Sequence, residues 1–219
     1  MKRLLVVVAA LAFAPAALAA KTITVHGTGI ITTVPTKAVF TFGVSSVGAT
    51  ARAALASNSA LMNKVIAALE SNGVKEADIQ TAQLSLQANT SPNGSKILNY
   101  TASNSVSAEM PVASAGATID AAVRAGANQL SGPSLSSADT TTLSRRALKA
   151  AVADARARAQ AVAAAAGVRL GGVLSVSEQT NSVVPYAAGP LVGAKAASTP
   201  VQGGTLQTEA DVTVVFAIA

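Results

Sequence analysis

Reactive side chains are few in this 219-residue sequence, and their spacing decides most of the chemistry open to it. It has one histidine, His26, and no cysteine. A thiol nucleophile is excluded, and a triad would need His26 oriented by a carboxylate and set beside a hydroxyl. His26 stands in Thr22-Ile23-Thr24-Val25-His26-Gly27-Thr28-Gly29-Ile30, whose two-residue alternation makes it a residue on a strand face. A transition-metal site draws on several His or Cys ligands, and the chain offers one. Glu76, Asp78, Asp139, Glu178, Glu209 and Asp211 are scattered, with no D-x-D-x-D-G run to wrap calcium. Gly27-Thr28-Gly29 has the glycines that let backbone amides cradle a phosphate. It lacks the Gly-Lys-Ser/Thr ending and no helix follows at once, so a hairpin turn accounts for it better. No catalytic, cofactor-binding or metal-binding residue is nominated.

The first residues set the compartment. Lys2 and Arg3 precede an uncharged apolar run from Leu4 to Leu18, which closes on Ala17-Leu18-Ala19. A charged start, a short apolar middle and a small-x-small end make a cleavable secretory signal, residues 1–19, with cleavage after Ala19. A spanning helix needs about 20 apolar residues, and this run is shorter and holds Pro15. The Ala-rich stretch 143–166 is long enough to span, but its six charged residues each cost on the order of 3 kcal/mol in a bilayer, so it stays in water. The mature chain is therefore expected to be a periplasmic protein without a transmembrane segment. Loss of Lys2 and Arg3 from a formal +6 leaves 14 bases and 10 acids. That modest excess has no Lys/Arg run and no aromatic interleaving, so no nucleic-acid partner is expected.

The elements that position these residues follow from hydrophobic period. The first strand and a second, Ala38-Val39-Phe40-Thr41-Phe42-Gly43-Val44, interrupted by Pro35, read as a β-hairpin, with the glycines of the first at a bulge or turn. Leu55, Leu61, Met62, Val65, Ile66 and Leu69 recur at three and four, predicting an amphipathic helix over 50–71 that ends at Asn72-Gly73. A strand through Ile79, Leu84 and Leu86 turns at Pro92-Asn93-Gly94 and returns from Ile97 to about residue 112 as a long ribbon. One side of that ribbon is Ser, Thr, Asn and Gln, and its edges can pair with another chain. A short helix is expected over 117–127, a strand over 130–137, and a long helix over about 141–166 capped by Asp139 or a nearby Thr and stopped by Gly167. Leu143, Ala147, Ala151, Ala155, Ala159 and Val162 line one face of that helix, with Arg145, Lys149 and Arg156 opposite. The basic residues form a solvated face, partly paired through Asp154 and Arg158 at i,i+4, or else meet anionic lipid, a peptidoglycan-linked acid or an acidic patch on another subunit. Strands near Val173, Leu174 and Val176 and over 212–216 flank a Gly-, Ala- and Pro-rich loop, 181–204. The order implies one α+β domain, 20–219, with a mixed, mainly antiparallel sheet, a long β-hairpin ribbon and helices packed on it. Aromatics are only 3% and Ala dominates the apolar fraction. Small side chains bury little area each, which favours association between chains.

Several stretches resemble the SIMPL domain (DUF541) family of exported bacterial periplasmic and outer-membrane-associated proteins. Val25-His26-Gly27-Thr28-Gly29 resembles its early V-x-G-x-G strand, Asp78-Ile79-Gln80-Thr81 its D-I-x-T, and Tyr100-Thr101-Ala102-Ser103-Asn104 the partner strand. Gly126-Ala127-Asn128 is similar to the G-A-N ending its second helix. Residues 147–171, with Ala155-Arg156 and Gly167-Val168-Arg169-Leu170-Gly171, resemble its Ala-rich helix and following turn, and Thr199-Pro200 its late T-P. Thr36, Leu135 and Arg158 depart from the pattern at positions read as structural. The resemblance implies a SIMPL-like fold in a family whose members include immunogenic, self-associating and oxidative-stress-linked proteins, and it carries over no catalytic residue. The expectation is a non-enzymatic envelope protein with a structural or interaction role, forming a homo-oligomer, meeting other envelope components and contributing to the stress response. The alternative is a module holding a small ligand or peptide in a groove between sheet and helices. A hydrolase using Ser and an acid is the third reading, and no Ser is nominated.

Overall fold

The computed structural model describes residues 21–179, 184–186 and 199–219. The expected export signal lies outside them, as does most of the 181–204 loop. In chain order the elements are β1 (Thr22–Thr33), β2 (Lys37–Gly48), α1 (Ala51–Ser71), β3 (Ile79–Thr90), β4 (Ile97–Pro111), α2 (Val112–Ala125), β5 (Gln129–Ser136), α3 (Thr140–Ala165), β6 (Leu170–Gln179), β7 (Val184–Tyr186) and β8 (Thr205–Ile218). They build two antiparallel sheets, β1-β8-β6 with β7 also on β8, and β3-β4-β2-β5. The α+β class and the β3–β4 ribbon are as the sequence predicts. β7 falls within the stretch expected to be loop.

The expected hairpin between the first two strands does not form. β1 pairs with β8 along its whole length, while β2 pairs with β4 and β5 in the other sheet. The connector Val34-Pro35-Thr36 has no Gly or Asn for the positive φ of a tight hairpin. Its backbone is committed elsewhere: Thr36 N–H donates to Ser136 O (3.0 Å), and Val112 N–H donates to Thr36 O (3.1 Å).

The β3-β4-β2-β5 sheet carries α1 and α2 on one face over large side chains. Phe40, Phe42 and Val44 of β2 and Val106 and Met110 of β4 meet Met62, Val65 and Leu69 of α1 and Ile119 of α2. Thr50 caps α1 by accepting from Ala53 N–H (3.2 Å), and Gly73 follows the helix at φ +88°. Buried Asn58 holds α1 to the sheet by donating to Val44 O (2.8 Å) and Ala102 O (2.9 Å). α2 begins at Val112, five residues before the expected start, because Pro111, at φ −61°, leads straight from β4 into it. Gly116 is buried within that helix.

α3 lies on β1 and β8 by different means. Asp139 caps it by accepting from Thr142 N–H (3.2 Å), and Gly167 follows at φ +68°. Its buried row is Leu143, Ala147, Ala151, Ala155, Ala159 and Ala163. Val162, expected on that row, is 47% exposed, because the row keeps to every fourth residue. Facing it, Gly27 and Gly29 are not at a turn or bulge: the β1–β8 register runs through them without a break. They are there because the helix backbone is. A Cβ on Gly29 would lie 2.0 Å from Ala147 O, and one on Gly27 2.2 Å from Ala151 O. Two residues of strand advance about 6.7 Å, and four residues of helix advance about 6 Å. Each V-x-G-x-G step on β1 therefore meets one Ala-x-x-x-Ala step on α3.

Candidate interaction surface

The residues considered for catalysis occupy structural positions. His26 faces away from α3, and its Nδ1 lies 2.9 Å from Thr213 Oγ1 on the paired strand. Its ring meets a hydroxyl on an exposed sheet face, not the carboxylate that would orient a triad. Next along, Thr28 Oγ1 donates to Asp211 Oδ1 (2.8 Å). The Thr28 N–H, which a phosphate loop would turn to its ligand, donates to Asp154 Oδ2 on α3 (3.0 Å). Arg158 Nε bonds the same carboxylate oxygen at 2.8 Å. The Thr28 amide first, and Arg158 second, hold the Asp154 carboxyl below its ordinary 3.8. The sequence paired Asp154 with Arg158 but missed its bond across to β1, since nothing local marks a partner 126 residues away. Among the described residues no three His, Cys, Asp or Glu converge as metal ligands.

Two acids do share a hollow. Asp78 and Glu109, with Val39, Ala77, Gln80 and Ser107, line a cavity of about 260 Å³ on the sheet face away from α1 and α2. That is the opposite side from the groove expected for a ligand. Lys37 pairs with Glu109, which raises the ammonium pKa above its ordinary 10.5. Binding clefts commonly enclose about 300–1,000 Å³ with largely apolar walls, and this one is smaller and mostly polar.

The family-like motifs also serve the fold. Gly126 ends α2 at φ +120°, and Asn128 then extends the β2–β5 ladder with its side chain. Its Oδ1 accepts from Ser45 N–H and its Nδ2 donates to Ser45 O, both at 2.8 Å. Thr199, of the T-P pair, donates from Oγ1 to Asp120 Oδ1 on α2 (2.6 Å), anchoring the chain before β8.

What remains open is strand edge and sheet face. β3 is an edge strand of 12 residues, about 40 Å long, exposed except at Ile79 and Ser85, and it contains no charge and no proline. The opposite edge, β5, is blunted by Pro133, by Gly132 at φ +121° and by a register shift. Leu84 (62%) and Leu98 (56%) leave apolar surface on the β3–β4 ribbon. The far side of the ribbon pairs Gln80 with Ser107, Gln83 with Ser105, Ser85 with Ser103 and Gln87 with Thr101, a run of uncharged amides and hydroxyls. On the other sheet, β6 exposes Val173, Leu174 and Val176. Arg145, Lys149 and Arg156 are all exposed on α3. No helix among the described residues is long and apolar enough to cross a membrane.

Most of the chain is similar in sequence to a known family. The sequence profile of the SIMPL family, described as "Protein of unknown function (DUF541)", matches residues 23–216. A relative described as "26 kDa periplasmic immunogenic protein" from Brucella melitensis biotype 1 is 32% identical over 210 residues, covering 90% of this chain and 84% of the relative. The protein of the same description from Brucella abortus strain S19 matches with the same identity and coverage. The chain belongs to the SIMPL (DUF541) family.

Proposed function

We propose that this is a non-enzymatic exported protein of the bacterial envelope, a single SIMPL domain over 20–219 that works in the periplasm by self-assembly. The observation that carries this reading is the β3 edge: 12 residues with neither charge nor proline. Edge strands usually carry such protection, because an unguarded row of N–H and C=O groups templates pairing with another chain. The exposed Leu84 and Leu98 beside it supply apolar area for the same contact. Export through residues 1–19, with cleavage after Ala19, accords with relatives described as periplasmic. The absence of a nominated nucleophile and base, and the structural roles of the family-like motifs, favour interaction over catalysis. A part in oxidative-stress tolerance rests on the family resemblance alone.

Native mass spectrometry of protein released from the periplasm tests the assembly. One mass at a whole-number multiple of the chain is expected, reverting to monomer in Leu84→Lys/Leu86→Lys, which charges the β3 edge. A monomer at micromolar concentration would remove the reading. A monomer with a constant added mass would replace it with the ligand-holding module.

A further inference from the structure

We infer that the outer face of α3 docks on an anionic phospholipid surface. From Lys21 onward the chain has 14 basic and 10 acidic side chains; α3 holds five of the bases and one of the acids, so the remaining residues carry nine of each. The net positive charge of this whole length therefore resides on one helix. Asp154, the one acid on α3, is bound by the Thr28 N–H and Arg158.

The arrangement of these charges identifies the partner. Arg145, Lys149 and Arg156, at i, i+4 and i+11, fall within about 40° of one another around the axis and extend about 16 Å along it. All three are exposed, and Arg146 adds a fourth cation beside them. Exposed Val152 (42%) lies between Lys149 and Arg156, so apolar area accompanies the charge. Glu209 and Asp211 belong to the β8 alternation that faces away from α3, because Ala210 and Val212 are the residues buried beneath the helix. These two acids therefore lie behind the sheet from the basic helix, while Glu178, paired with Val212, stands on the helix side at the β6 edge. Among the described residues α3 packs on β1, β8 and β6 and stands as a convex ridge. A convex basic ridge with interspersed apolar side chains suits a planar anionic surface, where a peptide would need a groove.

Vesicle co-sedimentation with protein released from the periplasm tests this. Wild type is expected to bind phosphatidylglycerol-containing vesicles and not phosphatidylcholine alone. Binding should fall as salt rises from about 0.1 M to about 1 M, where the screening length drops from about 10 to about 3 Å. Each basic residue near such a surface contributes about fivefold, so Arg145→Gln/Lys149→Gln/Arg156→Gln should lower the partition coefficient about 100-fold. The equally charged control Lys64→Gln/Lys75→Gln/Arg124→Gln, altered at exposed sites on other elements, should bind within a few-fold of wild type. Three outcomes would each overturn the inference. They are wild type ignoring the anionic vesicles at low salt, both triple variants losing binding equally, and soluble glycerol phosphate displacing the protein at lipid-matched concentration. The last would mark a site for a single phosphate. Because the substitutions leave β3 intact, loss of vesicle binding with an unchanged native mass separates this surface from self-assembly.

Discussion

Both sheets carry helices on one face, and they hold them by opposite means. Under α1 and α2, rings, thioethers and branched chains interlock: Phe40, Phe42, Met62, Val65, Leu69, Met110 and Ile119. Under α3 the sheet still buries Ile23, Val25, Val212, Val214 and Phe216, but the helix answers them with a row of alanines. Gly27 and Gly29 meet Ala147, Ala151 and Ala155, so the backbones approach until a methyl group has no room. The first interface is stabilised by apolar area per residue. The second takes its apolar area from one side only, the sheet, and adds close contacts between small groups that lose little side-chain freedom on folding. The first should therefore suffer most from truncation and the second from enlargement.

Phe42 is fully buried, so Phe42→Ala should cost about 4 kcal/mol in urea unfolding. A loss below about 1 kcal/mol would mean that core collapses around holes. Gly29→Ala adds a single methyl, 2.0 Å from a helix carbonyl, and should cost about 3 kcal/mol as α3 is pushed off β1. A neutral result there would show that the close approach is not needed. Asn58→Ala leaves two buried carbonyls without their donor and should cost about 2 kcal/mol. Asn58 Oδ1 has no partner among the described residues, which limits the loss because none of them donates to the group removed. Ala155→Gly, a truncation in the small-residue interface, should cost about 1.5 kcal/mol, with helix propensity supplying much of it.

The smallest effect is expected at the seam between α3 and β1. Asp154 is the polar clasp there, with its carboxyl held below 3.8 by the Thr28 N–H and then by Arg158. A depressed carboxyl contributes stability that is present above the ordinary carboxylate range and is lost as pH falls through its folded-state value. Unfolding measured from about pH 6 to about pH 2 should therefore show a loss in acid that Asp154→Asn lacks. Equal slopes in the two proteins would show that the clasp is not coupled to folding.

Much of this architecture is legible in the sequence, because period and punctuation are local. The three-and-four spacing of Leu61, Met62, Val65 and Leu69 predicts α1, Gly73 and Gly167 mark helix ends by their left-handed backbone, and Pro92-Asn93-Gly94 marks the ribbon's turn. The candidate surface is partly legible. Alternating polar residues from Gln80 to Ser107 announce a ribbon with a hydroxyl and amide side, and helical spacing groups Arg145, Lys149 and Arg156. The charge neutrality of the rest of the chain is also there to be counted.

Tertiary structure alone decided which strands became neighbours and what the glycines are for. Alternation specifies that β1 has one buried face but not whether β2 or β8 lies beside it, and those partners are 3 and 171 residues away along the chain. Val34-Pro35-Thr36 is bound by β5 and α2, so the adjacent strands separate into different sheets. A glycine pair in an alternating run fits a turn, a bulge or a close contact equally well from sequence. The Ala147, Ala151 and Ala155 backbone resting on β1 selects the third, because side-chain size is a local property and the distance between two backbones is not.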